Sequence, residues 1–188
     1  MPPVNCDNYR LGFSSHPDCS NPMPVAHEPV CVGEITDMRS GRDCAYLFYD
    51  PYGVVRNGYK LCAQGREIYF DMSYHALLYS GDPHKMALFE AAAMHECGHI
   101  VKRHDLQDNL LGVSDEQLRR ARLERDARAL DHEYEADAFA ASVCGVGAVV
   151  DTLDYLIEMR KQRGFDPVGE QAVEELALRK QRLLSANK

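Results

Sequence analysis

The stretch AAAMHECGHIVKRH, residues 91–104, constrains this chain more than any other. His95 and His99 lie four positions apart, so on a helix they stand one turn above each other and can aim both imidazoles at one metal ion. Glu96, directly after the first histidine, is rotated by about 100° around the same helix. That is too far to complete the ligand set but close enough to reach a water bound there. The H-E-x-x-H pattern takes its chemistry from this arrangement, two ligands and a general base on one helical turn. Leu88 and Ala92 share the histidine face, which should set the site against the core.

A motif this short also arises by chance on an alanine-rich helix. Catalytic zinc takes three protein ligands and keeps one open position, so a third ligand decides between the readings. The stretch HEYEADAFAA, residues 132–141, supplies a candidate. Glu133 could complete a His, His, Glu set. Asp137, one turn on, could accept the outer ring N–H of His95 and fix its tautomer. Glu135 should point elsewhere as a solvated charge. Three rivals stand beside Glu133. Asp105 has the spacing of H-E-x-x-H-x-x-G-x-x-H/D enzymes, but Lys102 occupies the place where their glycine turns the chain. His104 falls off the ligand face and reads as a cation closing the helix. His132 lacks a following group to orient it. Glu133 is favoured over all three. Gly98, inside the motif, would allow a second backbone to approach closely.

The chain around these motifs divides by character. Residues 1–44 hold most of the nine prolines, show little periodicity and read as an irregular Cys/Pro-rich extension. From Cys44 on, CAYLFYD predicts a strand, DPYG a turn, VVRNGYKLC a hairpin about Asn57-Gly58, and REIYFDM a further strand. Asp82-Pro83 opens a helix that should run to about His104. Ser114, with Gln117 in the reciprocal position, caps a charged helix reaching about Val143. Two amphipathic helices follow, separated by a break from Gly164 to Pro167. Strands first and helices after predict an α+β layer structure.

With both motifs in view, HECGHIVKRH followed by EYEADAFAA resembles the gluzincin metallopeptidases of the CAAX-prenyl-protease/HtpX type. Their pattern is H-E-x-G-H-x-x-x-R-H and then E-[YF]-x-A-D. AQGREIYFDMSYHALLY is similar to the segment that leads into their catalytic helix. The likeness covers about residues 62–145, more weakly to 185, and is closest to the small minigluzincins that lack membrane helices. It implies a zincin-like fold, with a small mixed sheet packed on the H-E-x-x-H helix and a mainly helical C-terminal part, over residues 45–188. It also implies zinc at His95, His99 and Glu133, a catalytic base at Glu96 and an orienting Asp137. The family's C-terminal H-P-x-x-x-x-R stretch is not matched: in DPVGEQA, Asp166 and Ala172 stand at the histidine and arginine places. Tyr155 is the candidate to stabilise the oxyanion instead.

The expected activity is that of a zinc metalloendopeptidase, a hydrolase of peptide or protein substrates using one Zn2+ ion. Glu96 would take a proton from the attacking water and pass it to the leaving amine. The substrate would lie extended along REIYFDM. The alternative is a catalytically inactive, zinc-stabilised regulatory or binding module, which would have no need of Glu96. A net charge of −8 argues against nucleic acid as a partner, and no apolar run is long enough for a transmembrane segment. The absence of a visible signal peptide points to the cytoplasm. Five of the seven cysteines (Cys6, Cys19, Cys31, Cys44 and Cys62) precede the histidine motif, and disulfides among them would instead suit a secreted or periplasmic protein.

Overall fold

The computed structural model describes residues 9–13, 28–56, 59–104, 115–162 and 167–187. The Asn57-Gly58 turn, Asp105, the Ser114 cap, Asp166, Cys6 and Cys19 lie outside the described residues. Five strands form one mixed sheet: β1 (Tyr9–Phe13), β2 (Val30–Asp37), β3 (Arg42–Tyr49), β4 (Leu61–Gln64) and β5 (Glu67–Phe70). They run in the order β1-β2-β3-β5-β4, and every neighbouring pair is antiparallel except β3 with β5. The helices are α1 (Met72–Leu78), α2 (Pro83–Lys102), α3 (Asp115–Cys144), α4 (Val146–Lys161) and α5 (Pro167–Ala186). The chain is thus α+β, as its strands-then-helices pattern predicts.

Alternation builds the inner face of the sheet. Ala45, Leu47 and Tyr49 of β3 point inward with Ile68 and Phe70 of β5, and all five are buried. Against them lies α2, whose Phe89, Ala93, Met94 and Cys97 are buried too. Phe70 and Phe89 meet edge to face with ring centroids 5.1 Å apart, a pairing worth about 0.5–1.5 kcal/mol beyond the area it buries. Asp82 caps α2 by accepting the His84 N–H at 2.9 Å, and Pro83 occupies the first helical position, where a missing N–H costs nothing. Asp71 does the same for α1 through the N–H groups of Ser73 and Tyr74. The result sets α2 at the centre, packed on β3, β4, α3 and α4.

Two parts of the sequence reading need correction. Residues 1–44 are not irregular throughout, because Tyr9–Phe13 and Val30–Asp37 are strands of the sheet, and β3 itself crosses residue 44. The signal in β2 is broken by a bulge. Its register skips between Cys31 and Gly33, so the buried Val32 and Ile35 fall three apart rather than two. The outer strand also matters to the helices, since Tyr9 of β1 packs edge to face on Phe139 of α3 at 5.0 Å.

The second correction concerns VVRNGYKLC. Val54, Val55 and Arg56 are turn residues, not a strand, and β4 takes its hairpin partner from the other side, through Gly65 at φ +63°. The reason is Asp50, whose buried carboxylate accepts the N–H groups of Val54 and Val55 at 3.1 Å and of Arg56 at 3.4 Å. The Arg56 guanidinium turns back on the Asp50 carbonyl through Nη2 at 2.8 Å. Asp50→Ala should therefore strip three main-chain donors of their acceptor and destabilise the fold by about 2–4 kcal/mol in urea unfolding, with Asp50→Asn intermediate.

Candidate metal centre

The site is assembled by a close crossing of two helices. At Gly98 of α2, an added Cβ would stand 3.0 Å from the Ala136 Cα and 3.2 Å from its carbonyl oxygen. Glycine at this position lets α3 come nearer than a side chain would allow. One turn before Ala136, on the same face of α3, is Glu133. Its Oε2 lies 3.3 Å from His95 Nε2 and its Oε1 3.4 Å from His99 Nε2, while the two Nε2 atoms are 3.1 Å apart. A tetrahedral ion with bonds of about 2.0–2.1 Å needs ligand atoms about 3.3 Å from one another. The histidine–histidine edge and each histidine–carboxylate edge are near that spacing, but the carboxylate meets the two rings through different oxygens, and one ligand atom from each of the three residues lies within 4.8 Å of the others. Among the described residues this is the one cluster of histidine, cysteine and carboxylate groups that could hold a metal ion.

The outer face of the centre is held by two different arms. On one side Asp137 meets His95 Nδ1 at 2.8 Å, which fixes the proton on Nδ1 and leaves Nε2 to face the centre. Asp137 is itself gripped by Arg179 of α5, which donates from Nε to Oδ2 at 2.8 Å and from Nη2 to Oδ1 at 2.7 Å. Arg179 also reaches Glu133 Oε2 through Nη1 at 2.6 Å. On the other side His99 Nδ1 contacts His104 Nδ1 at 2.9 Å, and His104 Nε2 contacts Glu135 Oε2 at 3.2 Å.

These partners set the charges. Burial disfavours a charged His95, but hydrogen bonds to Asp137 and Glu133 outweigh it and lift its pKa to about 9. Burial likewise opposes ionisation of Glu133 and Asp137, yet each stays well below the usual carboxylate range. Hydrogen bonds from His95 and His99 hold Glu133 there, and bonds from Arg179 and His95 hold Asp137. Glu96 is shifted the other way: burial raises its pKa, only partly offset by the neighbouring histidines and the Ala63 N–H. A carboxyl raised in this manner is suited to taking up and releasing a proton. His104 lies just beyond the end of α2, where burial pushes its pKa down against the opposing hydrogen bond to Glu135.

The centre opens into a cleft of about 900 Å3, walled by β4, by Tyr155, Leu156 and Met159 of α4, and by Ala172 and Leu176 of α5. Glu96, His95, His99 and Glu133 line it, and so does Tyr155. Burial raises the pKa of the Tyr155 phenol, which keeps the hydroxyl protonated and able to donate. Every candidate from the sequence therefore borders one space: His95, Glu96, His99, Glu133, Asp137 and Tyr155.

Three participants escaped sequence reasoning. Arg179 carried a signal: on α5 it falls between Leu176 and Leu183, three and four positions away, on the buried stripe of the helix. A charge in such a place needs a buried partner. His104 and Glu135 were read as a helix-ending cation and a solvated charge, and only the tertiary contact joins them. Comparison of the chain with models of known families, with curated proteins and with solved structures returned no match.

Two substitutions test this construction. Gly98→Ala would gain about 1 kcal/mol of helix propensity but force α3 outward, so a net loss of about 1–2 kcal/mol and weaker metal uptake are expected in thermal unfolding and metal titration. Arg179→Met keeps the stem and removes the charge, leaving Glu133 and Asp137 without their cation. It should destabilise the protein by about 3–5 kcal/mol in urea unfolding.

Proposed function

We propose that the protein is a zinc-dependent endopeptidase. What carries the reading is the meeting of the His95 and His99 Nε2 atoms with the Glu133 carboxylate at 3.1–3.4 Å, beside Glu96 in an open cleft. His95, His99 and Glu133 would hold the ion, which when bound polarises a carbonyl and makes a water acidic enough to react near neutral pH. Glu96 accepts the proton of the attacking water and delivers it to the leaving amine. Asp137 keeps His95 in the tautomer that can ligate. Tyr155, protonated and facing the cleft, is placed to donate toward the charge that grows on the scissile carbonyl oxygen.

The substrate needs a different strand from the one the sequence suggested. Glu67–Phe70 of REIYFDM form β5, which is flanked by β3 on one side and β4 on the other and has no free edge. Of the two edge strands, β1 and β4, it is β4 that lines the cleft. By the two-residue repeat, Leu61 and Ala63 present their main-chain groups to the same side, and the Ala63 N–H is the one beside Glu96. An extended peptide could add to this edge and bring a bond over the centre. A free sheet edge alongside an H-E-x-x-H helix also agrees with the zincin-like architecture that the resemblance implies.

The test uses metal and cleavage together. Purified protein is expected to carry one zinc per chain by elemental analysis, and Glu133→Ala to lose it. Glu96→Gln should keep the metal yet lower cleavage of an unfolded protein substrate at least about 100-fold. Full cleavage by Glu96→Gln would refute the assigned base. Zinc without any cleavage in the unaltered chain would favour a metal-stabilised binding module.

A further inference from the structure

The cleft contains a hydroxyl that the fold does not use. Tyr74 of α1 is only 5% exposed, and its ring packs edge to face on Phe89 of α2 with centroids 6.5 Å apart. Tyr74 lines the cleft, and its hydroxyl has no hydrogen-bond partner among the described residues. No buried side-chain oxygen among those residues is left unsatisfied, so this one opens into the cleft. Tyr69, nearly as buried at 8%, shows the ordinary arrangement, with its hydroxyl donating to Glu67 Oε2 at 2.5 Å. A phenylalanine would fill the Tyr74 position equally well, so the oxygen has its use toward a ligand. Burial raises the Tyr74 pKa, Glu96, Tyr155 and Asp71 add to the rise, and Arg160 opposes it. The phenol therefore stays protonated and able to donate.

A cation without a partner lines the same space. Of the arginines and lysines in the cleft wall, Arg56 is folded onto Asp50 and Arg179 grips Asp137 and Glu133. Lys60 Nζ reaches Ser73 Oγ at 3.4 Å. The Arg160 guanidinium has no ion pair or hydrogen bond among the described residues. The other cation of α4, Lys161, pairs with Glu158 at 2.9 Å. Glu175, an exposed carboxylate on the α5 wall, acts on Arg179 and makes no ion pair with Arg160. In a chain of net charge −8, a cation left unpaired beside a buried donor favours an anionic ligand.

We propose that Tyr74 and Arg160 form a subsite for a carboxylate of the substrate, the phenol donating to one oxygen and the guanidinium neutralising the charge. The proposal deepens the peptidase reading above and rests on it for the identity of the substrate. The carboxylate is that of an acidic side chain or of a free C-terminus. Strand spacing places it. Lys60, joined to Ser73 beside Tyr74, stands three residues before Ala63, or about 10 Å along the edge from the residue next to Glu96. An acidic residue within about three positions of the cleaved bond meets the subsite.

The test measures binding to the full chain carrying Glu96→Gln, which removes the proposed base and leaves the subsite intact. Three labelled peptides share one extended sequence: a blocked peptide with a central Glu, its Gln twin, and the Gln peptide with a free C-terminus. By fluorescence anisotropy the Glu peptide should bind about 10-fold more tightly than its twin. A gain confined to the free C-terminus would support the subsite and assign the carboxylate to the chain end; no gain for either would overturn the proposal. Adding Arg160→Gln should bring the ratio to within about twofold, and a preference that survives it would also overturn the proposal. Tyr74→Phe should reduce the ratio about threefold without lowering the melting temperature, because the hydroxyl bonds nothing in the fold. A lower melting temperature with an unchanged ratio would make Tyr74 a structural residue and remove it from the subsite. Because these are binding measurements, a chain that cleaves nothing sinks the peptidase reading, while the peptide ratios still decide the subsite.

Discussion

The approach of α3 to α2 at Gly98 governs everything else in the site. A ligand set drawn from two helices requires their axes to be closer than ordinary side-chain packing permits, because an imidazole and a glutamate must share one coordination sphere. Gly98 on one helix and Ala136 on the other supply that closeness, with Ala140 and Ala141 buried further along α3. Small residues alone do not hold helices together, since they bury little area. Here the clamp comes from outside the crossing. Tyr9 presses on Phe139 from the sheet, and α5 draws on α3 through the cation–π contact of Arg182 with Tyr134 at 3.9 Å.

Closeness creates an electrostatic problem that α5 resolves. Glu133 and Asp137 sit one turn apart, both ionised, with Asp137 almost wholly buried. Two carboxylates so placed would repel each other in a medium that screens poorly. The Arg179 guanidinium bridges them, using its planar fork on Asp137 and its remaining terminal nitrogen on Glu133. The same contact fastens α5 to the centre, which explains how a C-terminal helix far along the chain becomes part of the site. Lys180, the next residue, pairs with Asp154 at 2.6 Å and ties α5 to α4 across the cleft wall. A site built this way is stiff because His95, Glu133 and Asp137 are already restrained by charge partners.

The legible parts of this chain were those where one local rule decided the outcome. His95, Glu96 and His99 follow from helical geometry alone, and Asp82-Pro83 marks the start of their helix through capping chemistry. The pairing of Asp137 with His95 was readable because its four-residue offset from Glu133 continues the same face. Less legible were features in which tertiary structure overrode the local pattern. The bulge in β2 destroyed the two-residue alternation that would have announced a strand among the prolines. Asp50 pulled Val54–Arg56, apparently strand-like, into a turn. Strand order was beyond reach for another reason: β5 and β4 look alike in sequence, and only the parallel pairing of β5 with β3 pushes β4 to the edge.

That edge position is what links the architecture to the proposed function. Under the proposed function, a covered β4 would leave His95, His99 and Glu133 lining a cleft with no backbone edge for an extended chain to pair with. The chain instead passes from β3 through the Asp50-pinned turn to the outermost strand, and returns inward through Gly65 to pair β5 with β3. A short strand of four residues thereby lines the cleft at the sheet edge, with β5 on its inner side. The Ala63 N–H lies near Glu96, so the proposed base and the strand edge stand beside each other. In the proposed function, chemistry and recognition would share one main-chain element, and a shift of β4 by a single residue would disturb both at once.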